Sequence, residues 1–376
     1  MHIWTSYGRW NTAIDIDDQQ GSIMNRRTAE ASETNNLFTP ERCTIIVTPR
    51  DLFSTTEQCL EAIFAHTPEP FDLVVVMGGA SKSIKAMLES RYSKKARLIF
   101  KPEFLNGSQL RNIGLRETKT RLAVCLDTNV FVRPNWLTPL IRCQVETGAS
   151  EVVPLCVDQT DTIHTAGNDL FITYRNGQAI AKMELRCTGQ QVYEKTNLKR
   201  SEIDFGEVHC QLIVVEAALN LGFYDERLRE GIEMDSGLTF TKAGCKIMIQ
   251  PDSVVCLYYP IKLKQAIDVP LYRWKWDIPV IMGNFDYLKA KWNIDLSTAG
   301  GFKRYLVRVN ARVGLFSQVW PTDACVFLDR AMAYALDSVR SPLRRLAWTM
   351  LAWRTGFYHV EKREQAVPGA GKLAKG

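Results

Sequence analysis

Two acidic clusters and one arginine-bearing stretch hold the residue types from which chemistry on a phosphorylated substrate can be built. Asp127-Thr128-Asn129 follows directly on an apolar run ending at Leu126. Two short polar side chains at i and i+2, just past a strand, can aim their oxygens at one point. Mg2+ or Mn2+ on a diphosphate takes one or two such ligands plus phosphate oxygens. Asp127 and Asn129 are therefore candidate metal ligands, and a cation there stabilises charge gathering on a leaving diphosphate. The same residues also suit an Asx turn closing the strand. Glu230-Gly231-Ile232-Glu233-Met234-Asp235 reads as a loop entering a helix. Asp235 suits a cap stabilised by the helix dipole. Glu233 suits either a cap or a general base taking the proton of an attacking hydroxyl. Asn106-Gly107-Ser108 with Arg111 and Asn112 opens another helix, where backbone amides and a guanidinium suit a diphosphate or a capped surface helix. His164 and His209 are the midchain histidines near these groups. Each reads as a structural residue, an acceptor-side hydrogen-bonding group or a further metal ligand.

The elements that must position these residues follow from apolar periodicity. Cys43–Val47, Phe71–Met77, Ala96–Phe100 and Arg121–Leu126 read as buried strands. Helices over 55–66, 81–90 and 110–117 separate them. Continuous apolar strands alternating with helices imply a parallel sheet covered on both faces, wound right-handedly, with its ligands at the carboxyl ends of the strands. Farther on, the sequence predicts a helix over 136–146, strands over 151–158 and 169–174, and a polar loop or lid over 186–207. A strand-then-helix over 211–221, a helix over 235–243 ended by Gly244, and two short strands over 246–250 and 253–258 come next. Aromatics at helical spacing fill 262–293.

Composition narrows the class. The 376 residues are 46% hydrophobic and 23% charged, an ordinary globular mix that excludes a largely disordered, collagen-like or coiled-coil chain. No apolar run reaches the roughly 18–20 residues of a spanning helix. The polar start with Asp15, Asp17 and Asp18 is unlike a signal peptide. The ten cysteines include no CxxC pair, so zinc is not expected, and scattered apolar thiols suit a reducing cytosol. From Gly301 onward there are 13 Lys and Arg against five Asp and Glu, so this stretch carries +8 and the first 300 residues carry −2 of the net +6. A slightly acidic core argues against a nucleic-acid partner. A nucleotidyltransferase would carry a Gly-rich basic loop after the first strand, where only Pro49-Arg50 stands.

The order of these features resembles a family-2 glycosyltransferase of the GT-A fold over residues 43–260. Strand four ends there in Leu-Asp-x-Asp, here Leu126-Asp127-Thr128-Asn129. A Gly-Phe-Asp-Glu turn follows, here Gly222-Phe223-Tyr224-Asp225-Glu226, then an acidic stretch and a helix ending in Ala-Gly, here Ala243-Gly244. The sequence also resembles a bacterial subgroup with a Pro-Arg-x-x-Phe-Ser start, here Pro49-Arg50-Asp51-Leu52-Phe53-Ser54. The subgroup's Ile-His-x-Ala-Gly appears at Ile163–Gly167, and its His-Cys is His209-Cys210. The resemblance implies an α/β, Rossmann-like, doubly wound and mostly parallel sheet with a C-terminal helical extension. It implies an inverting transferase moving a sugar from a nucleoside-diphosphate sugar to a glycan or lipid-linked hydroxyl, with Mg2+ or Mn2+ on Asp127 and Asn129. Glu233 or Asp235 would be the base. Pro49, Arg50, Gly78, Arg111, Asn112 and Asp127 would hold the donor, with His164 and His209 on the acceptor side. Asn129 replaces the usual second Asp and weakens the metal. Met77 stands where a base-reading Asp is usual, and Glu233 replaces an Asp. A protein that binds a nucleotide sugar or glycan without transfer is the alternative reading.

The expected organisation is a mobile arm over 1–41 and a transferase domain over 42–260, divided into a donor half over 42–130 and an acceptor half over 131–260. A basic helical region over 261–360 and a disordered tail over 361–376 follow. Residues 302–318 and 343–359 interleave Arg with apolar and aromatic residues. They read either as amphipathic helices for an anionic membrane surface or as a packed subdomain with a solvated basic face. The expected location is cytoplasmic, peripheral on the inner face of the cell membrane, in polysaccharide biosynthesis.

Overall fold

Apolar runs, fully buried in the first and fourth, make the first four strands of the computed structural model, which describes residues 39–295 apart from 177, 193–196, 223, 260–262 and 264. Cys43–Thr48 (β1), Phe71–Gly78 (β2), Arg97–Lys101 (β3) and Leu122–Asp127 (β4) alternate with helices Thr56–His66 (α1), Lys82–Tyr92 (α2) and Gly107–Arg116 (α3). All pairings among these four strands are parallel, with β1 between β4 and β2. Side chains alternate across β1: Cys43, Ile45 and Val47 enter one core, and Ile46 enters the core on the opposite face. The register sets Thr48 opposite Asp127, so Pro49 and Arg50 leave the sheet beside the Asp127 carboxylate.

The rest of the sheet is mixed. Val130–Val132 (β5), Leu137–Thr147 (α4), Glu151–Val157 (β6) and Ile163–Thr165 (β7) precede the hairpin Asn168–Arg175 (β8) and Gln178–Leu185 (β9). Ser201–Glu202 (β10), Cys210–Val214 (β11), Val215–Asn220 (α5), Ile232–Lys242 (α6) and Ile247–Leu257 (β12) follow. Helices Val269–Lys275 (α7) and Ile278–Trp292 (α8) and the short strand Ile294–Asp295 (β13) close the described chain. The large sheet runs β10-β12-β6-β11-β4-β1-β2-β3, with β5 on β12 and β7 on β6; β13, β9 and β8 form a second sheet. Strand β11 is antiparallel to both neighbours and joins the two parallel blocks.

Four expectations are refined. The helix expected from 235 begins at Ile232, so Glu233 lies in its first turn, with Asp235, rather than before it. The two strands expected over 246–258 are one strand with a register shift between Gln250 and Val254. Strand β9 was not expected. Within the predicted lid, β10 pairs with β12. Helices α7 and α8 share the core through Val269, Tyr272, Trp276, Ile281, Phe285 and Leu288. Nine described cysteines are free, six of them buried. Among the described residues no helix is long and apolar enough to cross a membrane. The predicted arm up to residue 38, the two basic stretches and the tail lie outside the described residues.

Candidate active site

Three sheet pairings bring the polar residues together. In β1 and β4, Thr48 opposite Asp127 sets Arg50 at the carboxyl ends. In β11, Cys210 faces Leu126, and the Asp127 N–H donates to the His209 carbonyl at 3.0 Å, so the two side chains emerge side by side. On β7, Thr165 pairs with Cys156 and carries His164 to the same end, where its ring centroid lies 5.4 Å from that of His209.

Asp127 is fully buried and both its oxygens are engaged. Oδ1 accepts from Arg111 Nη2, and His209 Nδ1 lies 3.1 Å from Oδ2. Burial pushes this carboxyl above its ordinary range, while Arg111, Arg50 and Lys275 oppose that rise. Arg111 itself is 1% exposed and also donates to the Val208 carbonyl at 2.9 Å. It folds back under the first turn of α3, where a Cβ on Gly107 would meet its Nη1 at 2.6 Å. A capping box between Asn106 and Gln109 starts that helix.

The cleft beside this pair is lined by Arg50, Asn106, Gly107, Arg111, Glu233 and Lys275, together with Leu105, Val208, Glu230, Ile232 and Trp274. Lys275 donates to Glu230 Oε2, and Arg50 Nη2 lies 3.5 Å from Oε1. Burial works to raise the Glu230 carboxyl, but Lys275 and Arg50 outweigh it and hold Glu230 below the ordinary range. Among the described residues Glu233 has no such partner. Its carboxyl is pushed up by burial and by the charge of Glu230, against Arg50. Gly231 sets up this turn at φ +81°, with Leu288 packed 2.7 Å from where a Cβ would stand. For Arg50, burial acts to lower the pKa, but Glu230, Asp51, Asp127 and Glu233 keep it well above the ordinary value.

Other expected site residues stand elsewhere. Asp235 faces away from the cleft: Oδ2 accepts from Lys291 at 2.9 Å and Oδ1 from the Trp292 indole at 2.8 Å. It is a lock on α8 and is not placed to act as a base. Asn112 is 1% exposed and holds the turn after α5, donating to the Tyr224 carbonyl at 2.9 Å and to Glu226 Oε1 at 3.0 Å, and accepting from the Tyr224 N–H at 3.0 Å. Pro49 and Gly78 are buried and do not line the cleft. At Gly78 a Cβ would stand 3.0 Å from the Glu103 carbonyl and the Leu105 nitrogen, so its role is close backbone approach. Met77 is wholly buried in the core.

Asp127 and Asn129 do not fit a cation in this arrangement. Asp127 is closed by Arg111 and His209. Asn129 donates to the Tyr258 carbonyl at 3.2 Å, and its Oδ1 is buried without a partner. The group of described residues with metal-ligating geometry is instead His164, Glu207 and His209, with ligand atoms all within 4.8 Å of one another. Burial and the charges of Glu233, Glu230 and Asp127 push Glu207 up to about 8, against Arg50. Burial, then the neighbouring His209 and Arg50, push His164 down to about 3.

Glu207, Glu230 and Lys275 therefore join the site without having been singled out for it in the sequence. Glu230 sat in the acidic stretch and carried the signal. Lys275 lies among aromatics, with nothing local to mark it.

The parallel block, the antiparallel bridge and the cleft at the strand ends make a GT-A, Rossmann-like scaffold. Residues 44–196 match the family model described as glycosyl transferase family 2. Among solved structures, the crystal structure of GalNAc-T7 with UDP, GalNAc and Mn2+ is similar at 16% identity and a TM-score of 0.48. That likeness covers 72% of this chain and 55% of the solved one, so the chain spans about half its length. No curated protein matches the sequence.

Proposed function

We propose that this chain moves a sugar from a nucleoside-diphosphate sugar to a hydroxyl of a glycan or lipid-linked acceptor, with inversion, using Glu233 as general base. The observation that carries this reading is the pairing pattern in the cleft. Glu230 is neutralised by Lys275, while Glu233 lines the same cleft with no ion-pair partner among the described residues and a raised pKa. A carboxylate of that kind is basic enough to take a hydroxyl proton near neutral pH. In the proposed step the acceptor oxygen attacks the anomeric carbon, its proton passes to a Glu233 carboxylate oxygen, and the bond to the nucleoside diphosphate breaks in line. The anomeric centre is oxocarbenium-like as this happens. The Gly107 amide at the start of α3 and the guanidinium of Arg50 are the groups suited to the leaving diphosphate.

One observation favours a second reading, a donor-binding protein without transfer: Asp127, the expected donor-side carboxylate, is sealed by Arg111 and His209. Calorimetric titration with UDP, GDP, CDP and dTDP, with and without Mn2+, followed by turnover of the matching nucleotide sugar, separates the two. Binding with turnover supports the transferase, and binding without turnover supports the second reading. If no nucleotide binds, both fall.

A further inference from the structure

His164 and Glu207 are largely enclosed side chains with little to do in the protein alone. Among the described residues the Glu207 carboxylate has one ion-pair contact, with His209 Nε2 at 3.9 Å. His164 contributes a ring contact with His209, and no side-chain hydrogen bond of its imidazole is found there. His209 is oriented from behind. Its Nδ1 faces Asp127 Oδ2 at 3.1 Å, an arrangement that favours the proton on Nδ1, and Nε2 stands 3.9 Å from Glu207 and 3.5 Å from Arg50 Nη1. A carboxylate behind a histidine whose other nitrogen faces free ligands is the usual support for a metal-bound imidazole.

The charge balance points the same way. Asp51, Asp127, Glu207, Glu230 and Glu233 interact here with the three cations Arg50, Arg111 and Lys275. Ionised, the set is short of two positive charges, although Arg50 Nη1 lies only 3.4 and 3.5 Å from the two His209 ring nitrogens. A small cavity lined by Glu207, His209, Cys156 and Thr165 adjoins two of the three ligands.

We propose that His164, Glu207 and His209 bind one divalent transition-metal ion of the zinc class, with Asp127 as the positioning residue behind His209. Two imidazoles and a carboxylate suit zinc or cobalt and leave coordination positions open. Ligands at about 2.0–2.2 Å from such an ion stand roughly 3.4 Å from one another. The three atoms already lie within 4.8 Å of one another. The cysteine spacing that speaks against zinc is silent on this site, because its ligands are two histidines and a glutamate drawn from two segments, His164 from one and Glu207 with His209 from the other. The proposal does not depend on the transferase reading, since the ion binds without a nucleotide.

The test uses the full chain, stripped with chelator and titrated with Zn2+ against a chromophoric competitor, then with Co2+ for its visible d–d bands, with no nucleotide present. One equivalent is expected, with an imidazole-type cobalt spectrum. His164→Asn and Glu207→Gln should each weaken binding at least 100-fold while their metal-free forms melt like the parent. Asp127→Asn should weaken it about 10-fold or more through His209. Asn129→Ala should leave it within about 2-fold. The proposal is overturned if the parent takes up no ion, or if well-folded His164→Asn and Glu207→Gln bind like the parent. It is also overturned if Asn129→Ala, rather than those two, removes the site.

Discussion

Lys275, the last residue of α7, donates to Glu230, which stands two residues before α6, so the chain closes the cleft floor with an ion pair between segments 45 residues apart. Both side chains are nearly inaccessible, at 4% and 7% exposure. Breaking such a pair leaves a buried, uncompensated charge and costs about 3–5 kcal/mol. Lys275→Met is therefore expected to be strongly destabilised. Adding Glu230→Gln should recover a large part of the loss, a coupling of more than about 1 kcal/mol by denaturant unfolding. Additive losses would mean that Lys275 acts mainly through its contact with the Arg229 carbonyl.

Glu233→Gln is expected to keep nucleotide affinity within about 3-fold and to lower transfer by about 10²–10⁴-fold. Asp235→Asn should do the reverse, melting earlier because the Lys291 and Trp292 contacts weaken, with the folded fraction still active. Retained transfer in Glu233→Gln would remove it as the base.

Glu151 gives a pH dependence. It is 1% exposed on β6, accepts from Gln211 at 2.9 Å, and burial pushes its carboxyl up to about 7 against that hydrogen bond. The native state therefore holds a proton that the unfolded chain releases above its ordinary value of 4.5. Stability from this group is full below the unfolded value and is lost as pH rises through the folded one, by about 3 kcal/mol in all. Glu151→Gln should be more stable than the parent at pH 8 and nearly equal to it at pH 4.5. Chemical denaturation at the two pH values checks this, and parallel curves would refute it.

Asp268 and Asn112 brace the site from outside the cleft. Asp268 Oδ1 accepts from the N–H groups of Phe53 and Ser54 at 2.7 and 2.9 Å, and Oδ2 accepts from the Ser54 hydroxyl at 2.5 Å. Asp268→Ala and Asn112→Ala should each cost about 2–4 kcal/mol, because they strand buried partners. Melting should fall by about 5–12 °C in each.

The local pattern carried the elements that are built locally. The β1–β4 alternation, the α3 start at Asn106 and the Gly244 stop were legible because each is set by nearby residues. The cleft was legible in part. Arg50, Arg111 and Glu233 line it, and Asp127 stands against Arg111 at its edge. The exclusion of Asn112 and Asp235 was not legible, because both are drawn away by partners more than 50 residues distant, Tyr224 for one and Lys291 for the other. The same is true of Lys275, whose pairing depends on how α7 packs against the turn before α6. The pairing of His209 with Asp127 rests on β11 entering antiparallel beside β4, and no spacing within either segment announces it.

That late strand has a consequence for how the protein is made. During synthesis, at roughly 5–20 residues per second, β4 and β6 emerge several seconds before β11. Until Cys210–Val214 follows, each lacks the neighbour that β11 gives it. A nascent chain thus carries two apolar, unpaired edges, the surface on which chains stick to one another. One strand covers both edges and, in the same motion, carries His209 to Asp127. A nascent chain that has not yet closed its sheet therefore has no assembled site.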